Sequence, residues 1–88
     1  MPEHERNGLR IAVLTALTDT PDGLSIRQIN ALPAVSDLIG QYGHFAVRNT
    51  IYGLHTCGLT YISAGTVNAR HFLTQIGRQI LPIYEAEL

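Results

Sequence analysis

The stretch that decides the fold is Val47-Arg48-Asn49-Thr50-Ile51-Tyr52-Gly53-Leu54, followed by Gly58-Leu59. Val47, Ile51 and Leu54 recur at i, i+4 and i+7, the spacing that gathers apolar side chains on one face of a helix. Gly58 is the natural stop for that helix. Gly53 sits inside it at a cost of about 1 kcal/mol relative to alanine, which is read as the mark of a close packing contact. After Gly58 the period changes. Leu59, Tyr61 and Ser63 alternate with Thr60 and Ile62, Ala64-Gly65-Thr66 is a turn candidate, and Val67 to Leu73 is extended again. The pattern is that of a short β-hairpin.

Thr74, next along the chain, is placed to cap a last helix carrying Ile76, Ile80 and Leu81, which Pro82 is expected to kink or end. On the N-terminal side, Leu9, Val13, Ala16 and Leu17 form one stripe with Ile11 and Leu14 beside it, a helix covered on more than one side. Thr18 to Gly23 is a turn cluster that stops it. Leu24-Ser25-Ile26-Arg27-Gln28-Ile29 then reads as a helix start, with Ser25 and Gln28 as a capping box, Leu24 as the staple, and Pro33 limiting the helix. Between Ala34 and Gly43, Val35, Leu38 and Ile39 predict one helical turn capped by Ser36 or Asp37 and broken by Gly40 and Gly43. The expected order is helix, short strand at Gly23 and Leu24, helix, helix, hairpin, helix: a mostly α chain with a small β-hairpin. Residues 1–7 are expected to be a flexible N-terminus and residues 8–88 one domain.

Composition sets the outer limits. A chain of 88 residues with 45% hydrophobic content holds one core and no second, because a domain this size buries only about 60–65% of its unfolded surface. The longest apolar run, Ile11 to Leu14, is far below the roughly 18 residues that span a bilayer, and Met1 to Glu5 has no signal-peptide character. The single cysteine, Cys57, excludes an internal disulfide and suits a reducing, cytoplasmic compartment. It is expected to be buried, like most free cysteines. His55, Cys57 and His71 lack the spacing of a zinc site, so neither metal nor cofactor is expected. Asp19, Asp22 and Asp37 are assigned to turns and caps, and with no nucleophile-base constellation the chain is not read as an enzyme. Six arginines stand against seven acids for a net charge of -1. The balance is uneven: Leu38 to Tyr84 contains three arginines and no acid, and three of the four histidines.

The chain resembles a winged helix-turn-helix domain of the MarR-like and PadR-like transcription regulators. Three phrases carry the resemblance: Gly23 to Ile29 as the short strand entering the second helix, Val47 to Leu54 with Gly58-Leu59 as the third helix and its exit, and Phe72-Leu73-Thr74-Gln75-Ile76-Gly77-Arg78 as the exit from the wing. Together with the first helix they cover most of residues 9–81. The departure is a connection of about a dozen residues between Asn30 and Phe45, either an inserted turn or a longer second helix kinked at Pro33.

The resemblance implies binding of double-stranded DNA, with the third helix in the major groove and the hairpin on the flanking backbone. The outward positions of that helix are His44, Phe45, Arg48, Asn49, Tyr52 and His55. Arg48 has the fork that matches guanine O6 and N7, and Asn49 matches adenine N6 and N7. Arg70, helped by Asn68 and Thr66, would be the wing's phosphate contact, and Arg27 would hold the backbone across the groove. Tyr52 is read either as packing against the wing or as touching a phosphate. Arg78 opposes the dipole of the last helix and is assigned to solvent or an acidic partner. The first helix and the C-terminal segment have more apolar positions than one small core needs, so a homodimer through them is expected. The competing reading is a winged-helix module for protein–protein contact, with Phe45 and Tyr52 as aromatic anchors.

Overall fold

The computed structural model describes residues 1–63 and 69–87. Five helices and a three-stranded antiparallel sheet follow the order α1 (Glu3–Thr18), β1 (Leu24–Ser25), α2 (Ile26–Asn30), α3 (Pro33–Tyr42), α4 (His44–Thr56), β2 (Thr60–Ile62), β3 (Arg70–Leu73) and α5 (Gln75–Ala86). The architecture is mostly α with a small sheet, as expected, but it has one more helix than the sequence suggested.

α1 lies at the centre and packs against α3, α4, α5 and β3. Its Leu9, Val13, Leu14 and Leu17 are buried. Residues 1–7 are not a loose leader. The helix starts at Glu3, where two acids, Glu3 and Glu5, occupy the positive end of the helix dipole. Glu3 accepts from Arg6 at 3.2 Å and from Arg10 at 2.8 Å, which holds its carboxyl below the usual range. Asn7 is buried and donates to Glu87, the residue that follows α5, at 3.4 Å.

The capping box forms as the residues dictate: Ser25 Oγ accepts from Gln28 N at 3.2 Å, and Gln28 Oε1 accepts from Ser25 N at 2.9 Å. α2 is short, and the chain then starts again at Pro33. This proline begins a ten-residue helix instead of merely limiting the previous one, because the first helical turn has no use for the N–H that proline lacks. Ser36 and Asp37 are exposed inside α3, not caps, and Gly40 passes through it. The long connection between α2 and α4 is therefore a helix. A single residue, Gly43 with φ +88°, turns the chain from α3 into α4.

In α4, Val47, Ile51 and Leu54 are buried, as their spacing predicts. Two neighbours differ from expectation. A Cβ on Gly53 would meet nothing within 4 Å, so no close contact explains that glycine. Cys57, at the C-terminal end, is exposed.

β3 is the central strand, pairing Leu24 with His71 and Ser25 with Arg70 on one side, and Thr60 with Leu73, Tyr61 with Phe72 and Ile62 with His71 on the other. The hairpin strands β2 and β3 pair as the alternation predicts. Leu59 reaches the core before the strand begins, with its N–H bonded to Leu54 O at 2.9 Å, and Thr60 is then the inward residue while Tyr61 points out. Outside, Tyr61 stacks on Phe72 with centroids 5.0 Å apart. The turn assigned to Ala64-Gly65-Thr66 lies outside the described residues.

Thr74 caps α5 and ties it to the end of α4: its Oγ1 accepts from Gly77 N at 3.0 Å and donates to Gly58 O at 2.6 Å. Pro82 does not end α5, which runs through it to Ala86. The proline forgoes one backbone bond near the helix end, and packing of the half-buried Ile80, Leu81 and Tyr84 against the core carries the helix past it. Among the described residues, no helix is long and apolar enough to cross a membrane.

Candidate nucleic-acid interface

α4 is placed by its buried stripe. With Val47, Ile51 and Leu54 inward, His44, Phe45, Arg48, Asn49 and Tyr52 are all exposed. They spread over one broad outward face. At 100° per residue, Arg48, Tyr52 and His55 follow one another at i, i+4 and i+7 along one flank of it. Phe45 and Asn49 continue it toward the other flank.

On the first flank, Tyr52 meets Ser25, Ile26 and Arg27 from the start of α2, and Ile62, Ala69 and His71 from the sheet, around a cleft of about 470 Å³. Its ring lies 5.6 Å from that of His71 at a tilt of 51°, so Tyr52 packs against the hairpin. His55 Nδ1 lies 3.4 Å from Thr60 O and makes a second tie between α4 and β2. Arg27 is exposed at the edge of the cleft, and Arg48 is exposed one turn before Tyr52. Neither makes a salt bridge among the described residues, whereas Arg6 and Arg10 are both held by Glu3.

On the second flank, Phe45 and Asn49 border an open groove of about 520 Å³ with Ala46, Gly53, Cys57 and, across it, Arg10 and Tyr84. Phe45 is 80% exposed, the most exposed large hydrophobic side chain described. Arg10 is fixed there by Glu3 and Asn7, with its guanidinium 5.7 Å from the centre of the Tyr84 ring. Asn49 thus borders this groove, whereas Tyr52 borders the cleft against the sheet.

The wing residues divide as well. Arg70 is exposed, but its guanidinium donates to Gly23 O at 3.2 Å, and its N–H donates to Ser63 Oγ at 2.8 Å. It is therefore a clamp between hairpin and turn before it is a free cation. Asn68 and Thr66 lie outside the described residues. Arg78 has no salt-bridge partner among the described residues and stands with Pro21, Tyr61 and Phe72 on the other side of the sheet, away from Arg48. The acid-free part of the sequence is consequently not one patch: Arg48 stands on α4 one turn before Tyr52, whereas Arg78 lies with Tyr61 and Phe72.

His71 was visible in the sequence only as a candidate metal ligand. Its alternation with exposed Arg70 puts it on the inner face of β3, where it is 2% exposed and its Nδ1 has no hydrogen-bond partner among the described residues. Burial pushes its pKa down, and the neighbouring His55 charge adds to the effect. Among the described residues no group of three or more His, Cys, Asp or Glu side chains is arranged to hold a metal ion.

No protein-family model matches this chain, and neither a curated protein nor a solved structure does, so its functional reading rests on the residues themselves.

Proposed function

We propose that the protein is a small winged helix-turn-helix DNA-binding protein, a transcriptional regulator that acts as a homodimer without cofactor or catalytic step. α4 enters the major groove of double-stranded DNA, Arg48 reads a base edge, and Arg27, Arg70 and Asn68 hold the backbone on either side. The observation that carries this reading is that Arg48 and Arg27 are both exposed and free of salt bridges among the described residues. Arg27 lines the cleft that Tyr52 borders, and Arg48 stands one turn before Tyr52 on a helix set in an acid-free stretch of chain. Asn49, turned toward the groove, has a lesser part.

Fluorescence anisotropy against mixed-sequence genomic duplex is the test. Three arginine contacts per protomer, doubled in a dimer, predict an affinity that falls by about 10³-fold between 50 and 200 mM salt. Binding that ignores salt overturns the reading. The dimer is assigned to the outer face of α1, where Gly8, Ile11 and Ala12 remain half-buried, and to Ile76 and Ile83 of α5, each 55% exposed. Size-exclusion chromatography with light scattering is expected to give twice the 9.7 kDa chain mass at tens of micromolar; a monomer at that concentration removes the dimer from the proposal.

One observation favours a second reading. Phe45, standing almost free beside an open groove with small residues on its floor, is the kind of aromatic anchor that protein partners bury. If the duplex is not bound even at 50 mM salt, a protein-contact module is the better description.

A further inference from the structure

We propose that His71 is an acid-sensitive latch that seats α4 on the sheet, holding it while the imidazole is neutral and releasing it when the imidazole takes up a proton. The inference does not depend on DNA being the partner.

The latch follows from where the ring sits and what surrounds it. His71 is on the central strand, with Leu24 and Ile62 as its strand partners, and the ring of Tyr52 from α4 lies 5.6 Å away. It is therefore a point where the sheet and the middle of α4 touch. A neutral imidazole suits this place, because its unpartnered Nδ1 needs no anion. An imidazolium does not. The charged and titratable groups that face it are His55 and Tyr52 from α4 and Arg27 from the start of α2, with Arg70 next to it on its own strand. Among the described residues no carboxylate acts on it. None stands anywhere from Leu38 to Tyr84 in the sequence, and residues 64–68 carry no titratable side chain. A proton on His71 would thus be a buried charge beside cations with no anion to pair with among the described residues, a state that proteins avoid by moving the group to water. Reaching water means parting His71 from Tyr52, which loosens α4 from the hairpin.

The direction in pH is fixed by linkage. Since the folded imidazole is harder to protonate than the unfolded one, whose ordinary value is about 6.5, the unfolded or opened chain binds more protons in acid. The latch is fully closed above that value and is lost as pH falls through it toward the lower folded value.

An NMR titration of the four histidines in the whole chain is the direct test. The His71 imidazole is expected to titrate below 6.5, with the Tyr52 ring and Ile62 methyl signals moving at the same midpoint, and His55→Gln should raise that midpoint. In urea unfolding, the equilibrium constant for unfolding should rise as pH falls from 7.5 to 5.5, by at most about tenfold per pH unit for one proton, and His71→Leu should flatten that rise. The wild-type titration decides the question even if the leucine variant fails to fold. A His71 midpoint at or above 6.5, or Tyr52 and Ile62 signals that do not follow it, overturns the latch. So does a folded His71→Leu protein that keeps the wild-type acid loss.

Discussion

Gly77→Ala is expected to lower the melting temperature by about 10–25 °C, whereas Gly53→Ala, also a change within a helix, should raise it slightly. A Cβ at Gly77 would lie 2.1 Å from the carbonyl oxygen of Leu59 and 2.8 Å from Leu73 Cδ1. The oxygen cannot turn aside, since it accepts from Thr74 N at 3.1 Å and the Leu59 N–H is bonded to Leu54 O at 2.9 Å. α5 would have to back away, which strains the two Thr74 bonds that join its first turn to Gly58. Overpacking costs about 1–3 kcal/mol and a lost cap about 1 more. In a domain of this size each kcal/mol is worth about 4–8 °C, out of a total stability of roughly 4–13 kcal/mol. At Gly53 the added methyl meets open space, so the helix gains about 0.5–1 kcal/mol. Thermal unfolding followed by circular dichroism measures both. Equal melting temperatures for the two variants would mean that the contact of α5 with Leu59 is not as close as described.

Arg48→Ala should weaken duplex binding by about 10–100-fold and relax sequence preference, if a guanine contact worth about 1–3 kcal/mol is removed. Arg27→Ala should weaken binding evenly across sequences and reduce the salt slope by about one for each protomer. Neither side chain supports the fold through a salt bridge among the described residues, so both variants should melt within about 0.5 kcal/mol of wild type. That separates them from Arg70→Ala, which also breaks the bond to Gly23 O and mixes stability with binding. Asn49→Ala should have the smaller effect because its side chain borders the groove. Salt-titrated anisotropy on the purified variants checks these outcomes; wild-type affinity in both Arg48→Ala and Arg27→Ala would remove the proposed interface.

The features legible in the sequence are those whose physics is complete within one or two turns. The Ser25–Gln28 capping box and the Thr74 cap involve atoms three residues apart, and both form. The Val47, Ile51 and Leu54 stripe needs only helical geometry, and all three are buried. Misreadings arise where one residue has two local uses. Pro33 stops a helix as well as it starts one, and only the packing of Val35 against the core decides for the start. The alternation at Leu59 and Thr60 left the inward face open, and there the turn leaving α4 already places Leu59 inside, so that Thr60 is buried as well.

By itself, then, the sequence determined the helical stripes, the two caps, the hairpin and the absence of acids from Leu38 to Tyr84. Tertiary structure alone decided that Gly77 is crowded and Gly53 is not, that Cys57 is exposed, that Tyr52 borders the cleft against the sheet while Asn49 borders the groove beside Arg10 and Tyr84, and that His71 is buried beside Tyr52. The difference is one of range. Backbone bonds and side-chain period act between residues a few positions apart, while the space around a side chain is set by strands and helices that meet it from far along the chain. For His71 these are β1 and α4, and for Gly77 the turn between α4 and β2.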